Sequence, residues 1–192
     1  MNLGISRFDS YLNSTFDMEG GWSNDKSDPG QATMFGLSAR FNPKYADKIL
    51  SRTLTEIEAR SIIKKSYYDV LIGINDVAPE IGFIVFDAKF HGMFEAVKGI
   101  QKFINSKQKL EGDLVVDGVW GPHTLQGVMT LNRDEVRDLL NYERQNTAVY
   151  ARAAANRVLI YQARHNLPQK DYFAGFTTRQ RRRVEESEKQ IT

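Results

Sequence analysis

Glu19 follows an amphipathic stretch and opens the run Glu19-Gly20-Gly21-Trp22-Ser23-Asn24-Asp25-Lys26-Ser27-Asp28-Pro29-Gly30-Gln31-Ala32-Thr33. Three acids, a threonine and an aromatic thus fall on turn-forming chain, the raw material for general acid catalysis with a positioned water. Two glycines beside the acid let backbone and ligand approach closely. An ordinary Glu, with a pKa of about 4.3, has already lost its proton at neutral pH. To act as an acid it needs an apolar wall, and Trp22 and Phe35 are the nearby aromatics. By residue type alone, a polar surface loop fits the same run equally well.

The surrounding pattern is helical. Ile5, Phe8, Leu12 and Phe16 recur at three-to-four spacing and predict one buried face of a first helix that ends near Asp17. The stretch to about Asn42 reads as loop with a short irregular hairpin, and Asn42-Pro43 starts a short helix with Tyr45 and Ile49. Thr55 and Glu58 form a capping box for a helix whose apolar face is Ile57, Ile62, Ile63, Tyr67 and Val70. Ile81 to Phe90 predicts a deeply buried helix, interrupted near Gly92 and resumed through Phe94, Val97, Ile100, Gln101 and Ile104. Asp117-Gly118 predicts a turn before a helix from about Pro122, and Asn132 with Glu135 caps one long final helix that stops near Asn166 and Pro168. Strand signals are short, so the expected fold class is mainly α.

Composition bounds the function. The 192 residues are 41% hydrophobic, enough for a real core. With 26 Lys plus Arg against 24 Asp plus Glu, the net charge of +2 permits attraction to an anionic envelope without marking a nucleic-acid binder. The absence of cysteine excludes disulfides, thiolate zinc sites and Cys nucleophiles. No basic and apolar leader stands at Met1, and no segment reaches the length of a membrane span, so the expectation is a protein made in the cytoplasm without stable membrane insertion. His91, His123 and His165 are scattered without metal-ligand spacing, and no cofactor or metal is expected. His91 reads as a hydrogen-bonded core residue or as part of a cleft wall. The basic run Arg179 to Arg183 is followed by Glu185, Glu186 and Glu188, the pattern of a solvated helix with intrahelical pairs.

The ordered elements Glu19-Gly20-Gly21-Trp22, Asn24-Asp25, Asp28-Pro29-Gly30, Ala32-Thr33 and Phe35-Gly36-Leu37-Ser38 together resemble the signature of glycoside hydrolase family 108, phage and prophage N-acetylmuramidases. The resemblance implies a lysozyme-like fold, bacterial peptidoglycan as substrate and Glu19 as the catalytic acid. Phage-type lysozymes often follow that Glu with an Asp after eight residues and a Thr after five more; here Asp28 follows after eight and Thr33 after four. By this analogy Asp28 and Thr33 orient the attacking water, an inverting route in which the carboxyl groups stand roughly 6.5–9.5 Å apart. Asp28 before Pro-Gly is also what a turn requires. Trp22, Asn24, Asp25, Phe35 and His91 become candidate substrate-binding residues. Gln31 stands where the family commonly has Gly, and Trp22 where Tyr is common.

Leu114 to Leu125 contains Asp117-Gly118, Gly121 and Thr124 and resembles the Asp-Gly element of peptidoglycan-binding domains. The expected organisation is a catalytic muramidase region over 1–89, a peptidoglycan-binding-like helical region over 90–180 packed on it, and a charged tail over 181–192. The family habit implies a monomeric endolysin in the host cytoplasm that reaches the wall after a holin opens the membrane. Two other classes remain: a wall-binding module without catalysis, and a secretion or assembly factor.

Overall fold

Helix α4, Pro79–Phe90, organises the molecule. Pro79 occupies its first turn, where a missing N–H costs nothing, and every residue from Glu80 to Ala88 is buried. A helix buried on nearly all sides belongs at the centre of a bundle. The computed structural model describes residues 5–16 and 21–190 and places the other elements around this helix.

Helix α1, Arg7–Phe16, packs on α4 through Phe8, Tyr11 and Leu12. The Tyr11 and Phe86 rings stack at 6.0 Å, and the Tyr11 hydroxyl donates to the Pro79 carbonyl at 2.6 Å. The strands β1, Ser23–Asn24, β2, Ala32–Met34, and β3, Leu37–Ser38, form one small antiparallel sheet. Phe35 and Gly36, with φ of 50° and 73°, make the two-residue turn between β2 and β3, whose handedness suits a tight hairpin. Helix α2, Ala46–Leu50, lies against β2 and β3; α3, Glu56–Ile63, carries the Thr55–Glu58 capping box and continues as a π-helical turn over Lys64–Tyr68.

Among the described residues five more α-helices follow: α5, Phe94–Lys107; α6, Pro122–Met129; α7, Arg133–Gln145; α8, Thr147–Arg164; and α9, Phe173–Lys189. The mainly α class holds. The single long helix expected from Asn132 to Asn166 is two, because the chain leaves helical geometry at Asn146 (φ −95°, ψ 3°). Ile5, Ile57 and Val70, assigned to buried faces by periodicity, are 74%, 82% and 56% exposed.

The larger departure lies in the basic run. Gln180, Arg183 and Ser187 form a buried stripe of α9, and Arg183 is 1% exposed. Its Nε bonds the Asp87 carboxylate, itself fully buried, while its other nitrogens reach Gln180 Oε1 at 2.8 Å and Met93 Sδ at 3.0 Å. Burial pushes the Asp87 carboxyl up, and the Arg183 guanidinium together with His91 outweighs this and holds it well below the usual carboxylate range. A solvated helix was expected because local charge alternation does not show that a distant acid awaits one of its arginines.

A second buried acid is shifted the opposite way. Glu143 on α7 is 3% exposed and meets the Tyr150 hydroxyl at 3.2 Å over Gly99 of α5, where a Cβ would overlap both groups. Burial raises the Glu143 carboxyl to about 8, only partly opposed by Arg183.

Two outcomes follow. Arg183→Met leaves Asp87 buried without its guanidinium and should cost about 3–5 kcal/mol in urea unfolding, with the double replacement Asp87→Leu/Arg183→Met recovering much of it. Glu143 binds its proton more tightly folded than unfolded, so its stabilising contribution is complete below about pH 4.5 and is lost as pH rises through about 8. Glu143→Gln should flatten the fall in stability between those limits, read as unfolding midpoint against pH.

Candidate active site

Glu19 lies outside the described residues, so the site is built from its flanks. On one side, Thr15 at the end of α1 is buried, its hydroxyl 3.5 Å from Asp87 Oδ1, and the Phe16 ring lies 6.4 Å from that of Phe35. On the other side, Trp22 leads into β1, where Ser23 pairs with Thr33 and Asn24 with Ala32. Trp22 is 36% exposed, and the Arg52 guanidinium stacks 3.8 Å above its ring.

Asp28 makes the turn its neighbours demand. Its Oδ1 accepts the Gly30 N–H at 2.6 Å, and its backbone carbonyl accepts that of Gln31 at 3.0 Å. Oδ2 of Asp28 has no hydrogen-bond partner among the described residues, and the residue is partly buried. The Thr33 hydroxyl makes only a long contact, 3.4 Å, with the Gln31 carbonyl. Gln31 itself sits at φ 56°, a left-handed conformation that favours glycine.

Asp25 is consumed by structure. Its Oδ1 takes the Ser27 N–H at 2.9 Å and the Ser27 hydroxyl at 2.6 Å; its Oδ2 takes Lys170 Nζ at 2.7 Å and the Tyr172 hydroxyl at 3.1 Å. The Lys170 bond, followed by those from Ser27, holds the Asp25 carboxyl well below its ordinary range. Gln162 of α8 completes the strap by donating to the Ser27 carbonyl at 2.8 Å and accepting the Lys170 N–H at 3.1 Å. The loop before β2 is therefore held by the α8–α9 connection, some 145 residues away in sequence. Asn24 is exposed on β1.

His91 ends α4 with its side chain 12% exposed. Nδ1 lies 2.9 Å from the Asp87 carbonyl and 3.1 Å from Asp87 Oδ1, and Nε2 meets the Arg179 guanidinium. A proton on Nδ1 satisfies both neighbours: the ring donates to Asp87 and accepts from Arg179. Gln162 and Tyr172 are not singled out by the sequence, and Arg179 reads there only as part of a solvated basic run, because a contact across so many residues leaves no local pattern.

The Asp117-Gly118 element has a structural occupation. Gln101, buried on α5, donates to Asp117 Oδ1 at 2.8 Å, to the Val119 carbonyl at 3.1 Å and to Thr124 Oγ1 at 3.2 Å, and accepts the Gly118 N–H at 2.9 Å. Trp120 Nε1 donates to the Ile72 carbonyl at 2.9 Å, joining this loop to the first half of the chain. Among the described residues no group of three or more His, Asp and Glu could hold a metal ion, and no helix is long and apolar enough to cross a membrane.

Residues 12–92 match the model of the family Glycosyl hydrolase 108. That stretch of the chain resembles the family, and it contains every candidate site residue from Glu19 to His91. Among solved structures the chain resembles SagA of Brucella abortus, with a TM-score of 0.61 and 22% identity over 96% of this chain and 95% of that one. The likeness extends over nearly the whole of both chains and is one of overall fold. No curated protein matches the chain.

The strap and the left-handed turn generate two outcomes. Tyr172→Phe removes the hydroxyl shared by Ser27 and Asp25 and should speed hydrogen exchange at the Ser27 amide, with a global loss of about 1 kcal/mol. Gln31→Gly relieves the positive φ and should raise the unfolding free energy by up to about 1 kcal/mol.

Proposed function

We propose that the chain is a peptidoglycan N-acetylmuramidase that hydrolyses the β-1,4 bond between N-acetylmuramic acid and N-acetylglucosamine. The observation that carries this reading is the family match over residues 12–92, which encloses the Glu19 to Phe35 run. In this reading Glu19 is the general acid that protonates the leaving oxygen. Asp28, through its free Oδ2, and Thr33, through its weakly bonded hydroxyl, hold the water that attacks the opposite face, an inverting course. Trp22, Asn24, Phe35 and His91 line the sugar-binding cleft, and Asp25 fixes the loop that carries Asp28.

The region over 1–89 supplies the chemistry, and the helices after it brace that region. The biological setting we propose is lysis by an endolysin: synthesis in the host cytoplasm, then access to the wall through a membrane lesion made by a holin.

Incubation of purified Gram-negative peptidoglycan with the protein, followed by reduction and mass spectrometry, should reveal new N-acetylmuramic acid reducing ends. Glu19→Gln should lower their rate of release about a hundredfold or more. Equal release by both proteins would move the acid elsewhere, and no release by either would reject the glycosidase reading. Asp28→Asn retains the turn bond to the Gly30 N–H and should keep the unfolding midpoint while lowering kcat at least about tenfold, because a neutral amide is a poor base.

A further inference from the structure

Arg52 stands where a glycine would serve the fold better. Helix α2 ends at Leu50 with the Arg52 N–H bonded to the Ile49 carbonyl at 3.1 Å and the Thr53 N–H bonded to the Lys48 carbonyl at 2.9 Å. These two bonds define a Schellman end, whose left-handed residue is most often Gly. Here it is Arg52, at φ 60°. The backbone strain brings no compensating ion pair. Arg60, Arg133, Arg137, Arg144 and Arg152 each reach a carboxylate, whereas the Arg52 guanidinium has no hydrogen bond or salt bridge among the described residues. It lies instead 3.8 Å over the half-exposed Trp22, one residue from the Ser23–Thr33 strand pair.

An exposed indole offers a surface for a pyranose ring, and a planar guanidinium with unused donors recognises a carboxylate in two-point fashion. Stacking on the indole keeps the guanidinium oriented while leaving its N–H groups free. We infer that Arg52 and Trp22 form a binding subsite for the carboxylate-bearing units of the glycan strand, with Arg52 reading the acidic groups of the peptide stems and Trp22 supporting the sugar. This rests on peptidoglycan being the substrate, and it makes Arg52 a determinant of preference for acidic over neutral strands.

The test reads binding by the full-length protein, so its result does not depend on cleavage. Pelleting with insoluble peptidoglycan is measured for the wild type, Arg52→Gly, Arg52→Lys and Trp22→Ala, using native material and material whose carboxyl groups have been amidated with carbodiimide and methylamine. Arg52→Gly should bind native peptidoglycan about fivefold more weakly than wild type, bind the amidated material equally well, and melt no lower than wild type. Arg52→Lys should fall between, and Trp22→Ala should lose affinity for both materials. Equal affinity of Arg52→Gly and wild type for native peptidoglycan would overturn the inference, as would the same loss on both materials. A clear drop in the melting temperature of Arg52→Gly would also count against it, by showing that the side chain serves the fold.

Discussion

The ion pair between Asp87 and Arg183 is the constraint on which the architecture turns. A carboxylate in the middle of a helix buried on all sides is tolerable only if a cation meets it there, since an isolated buried charge costs several kcal/mol. The cation comes from α9, 96 residues later in the chain. Once α9 is fixed against α4, its amino-terminal end and the turn before it have little freedom. That turn carries Lys170 and Tyr172, which close on Asp25 and Ser27. The pair therefore acts twice, neutralising the core and bringing a strap to the loop that holds Asp28.

Around the candidate site the backbone is repeatedly left-handed at residues other than glycine: Gln31, Phe35 and Arg52 all have φ between 50° and 60°. Each such position costs roughly 1–2 kcal/mol relative to an ordinary conformation and persists only where its surroundings determine it. Phe35 gains a contact with Phe16 and Arg52 gains Trp22, so two of the three strained residues place a side chain beside the Glu19 segment's flanks. For Gln31 the structure offers no compensating contact. Strain concentrated in this way is consistent with a surface shaped for binding at some cost to stability.

What could be read from sequence was local. The capping boxes of Thr55 with Glu58 and Asn132 with Glu135, the proline at 122, and the mostly apolar run of α4 each carry their signal within a few residues, and each appears in the fold. The turn role of Asp28 was legible for the same reason. Ile5, Ile57 and Val70 have the right spacing for buried faces, but among the described residues they stand exposed, and periodicity does not report what lies opposite. The fate of Asp25 and the burial of Arg183 depend on contacts spanning 145 and 96 residues. Likewise, the Asp-Gly element resembles a glycan-binding motif in residue types, yet its polar groups are taken up by Gln101, whose side chain sequence alone grouped with an apolar series.

The account holds that residues 12–92, the stretch similar to family 108, do not stand by themselves, because their central helix contains a buried carboxylate whose guanidinium partner comes from the C-terminal helix. Expression of residues 1–92 alone, examined by near-ultraviolet circular dichroism and urea unfolding beside the full chain, is the most direct measurement of that claim. The account predicts a segment without cooperative unfolding, whose order is restored when residues 93–192 are supplied in trans. A segment that unfolds cooperatively by itself, with a midpoint near that of the full chain, would contradict it.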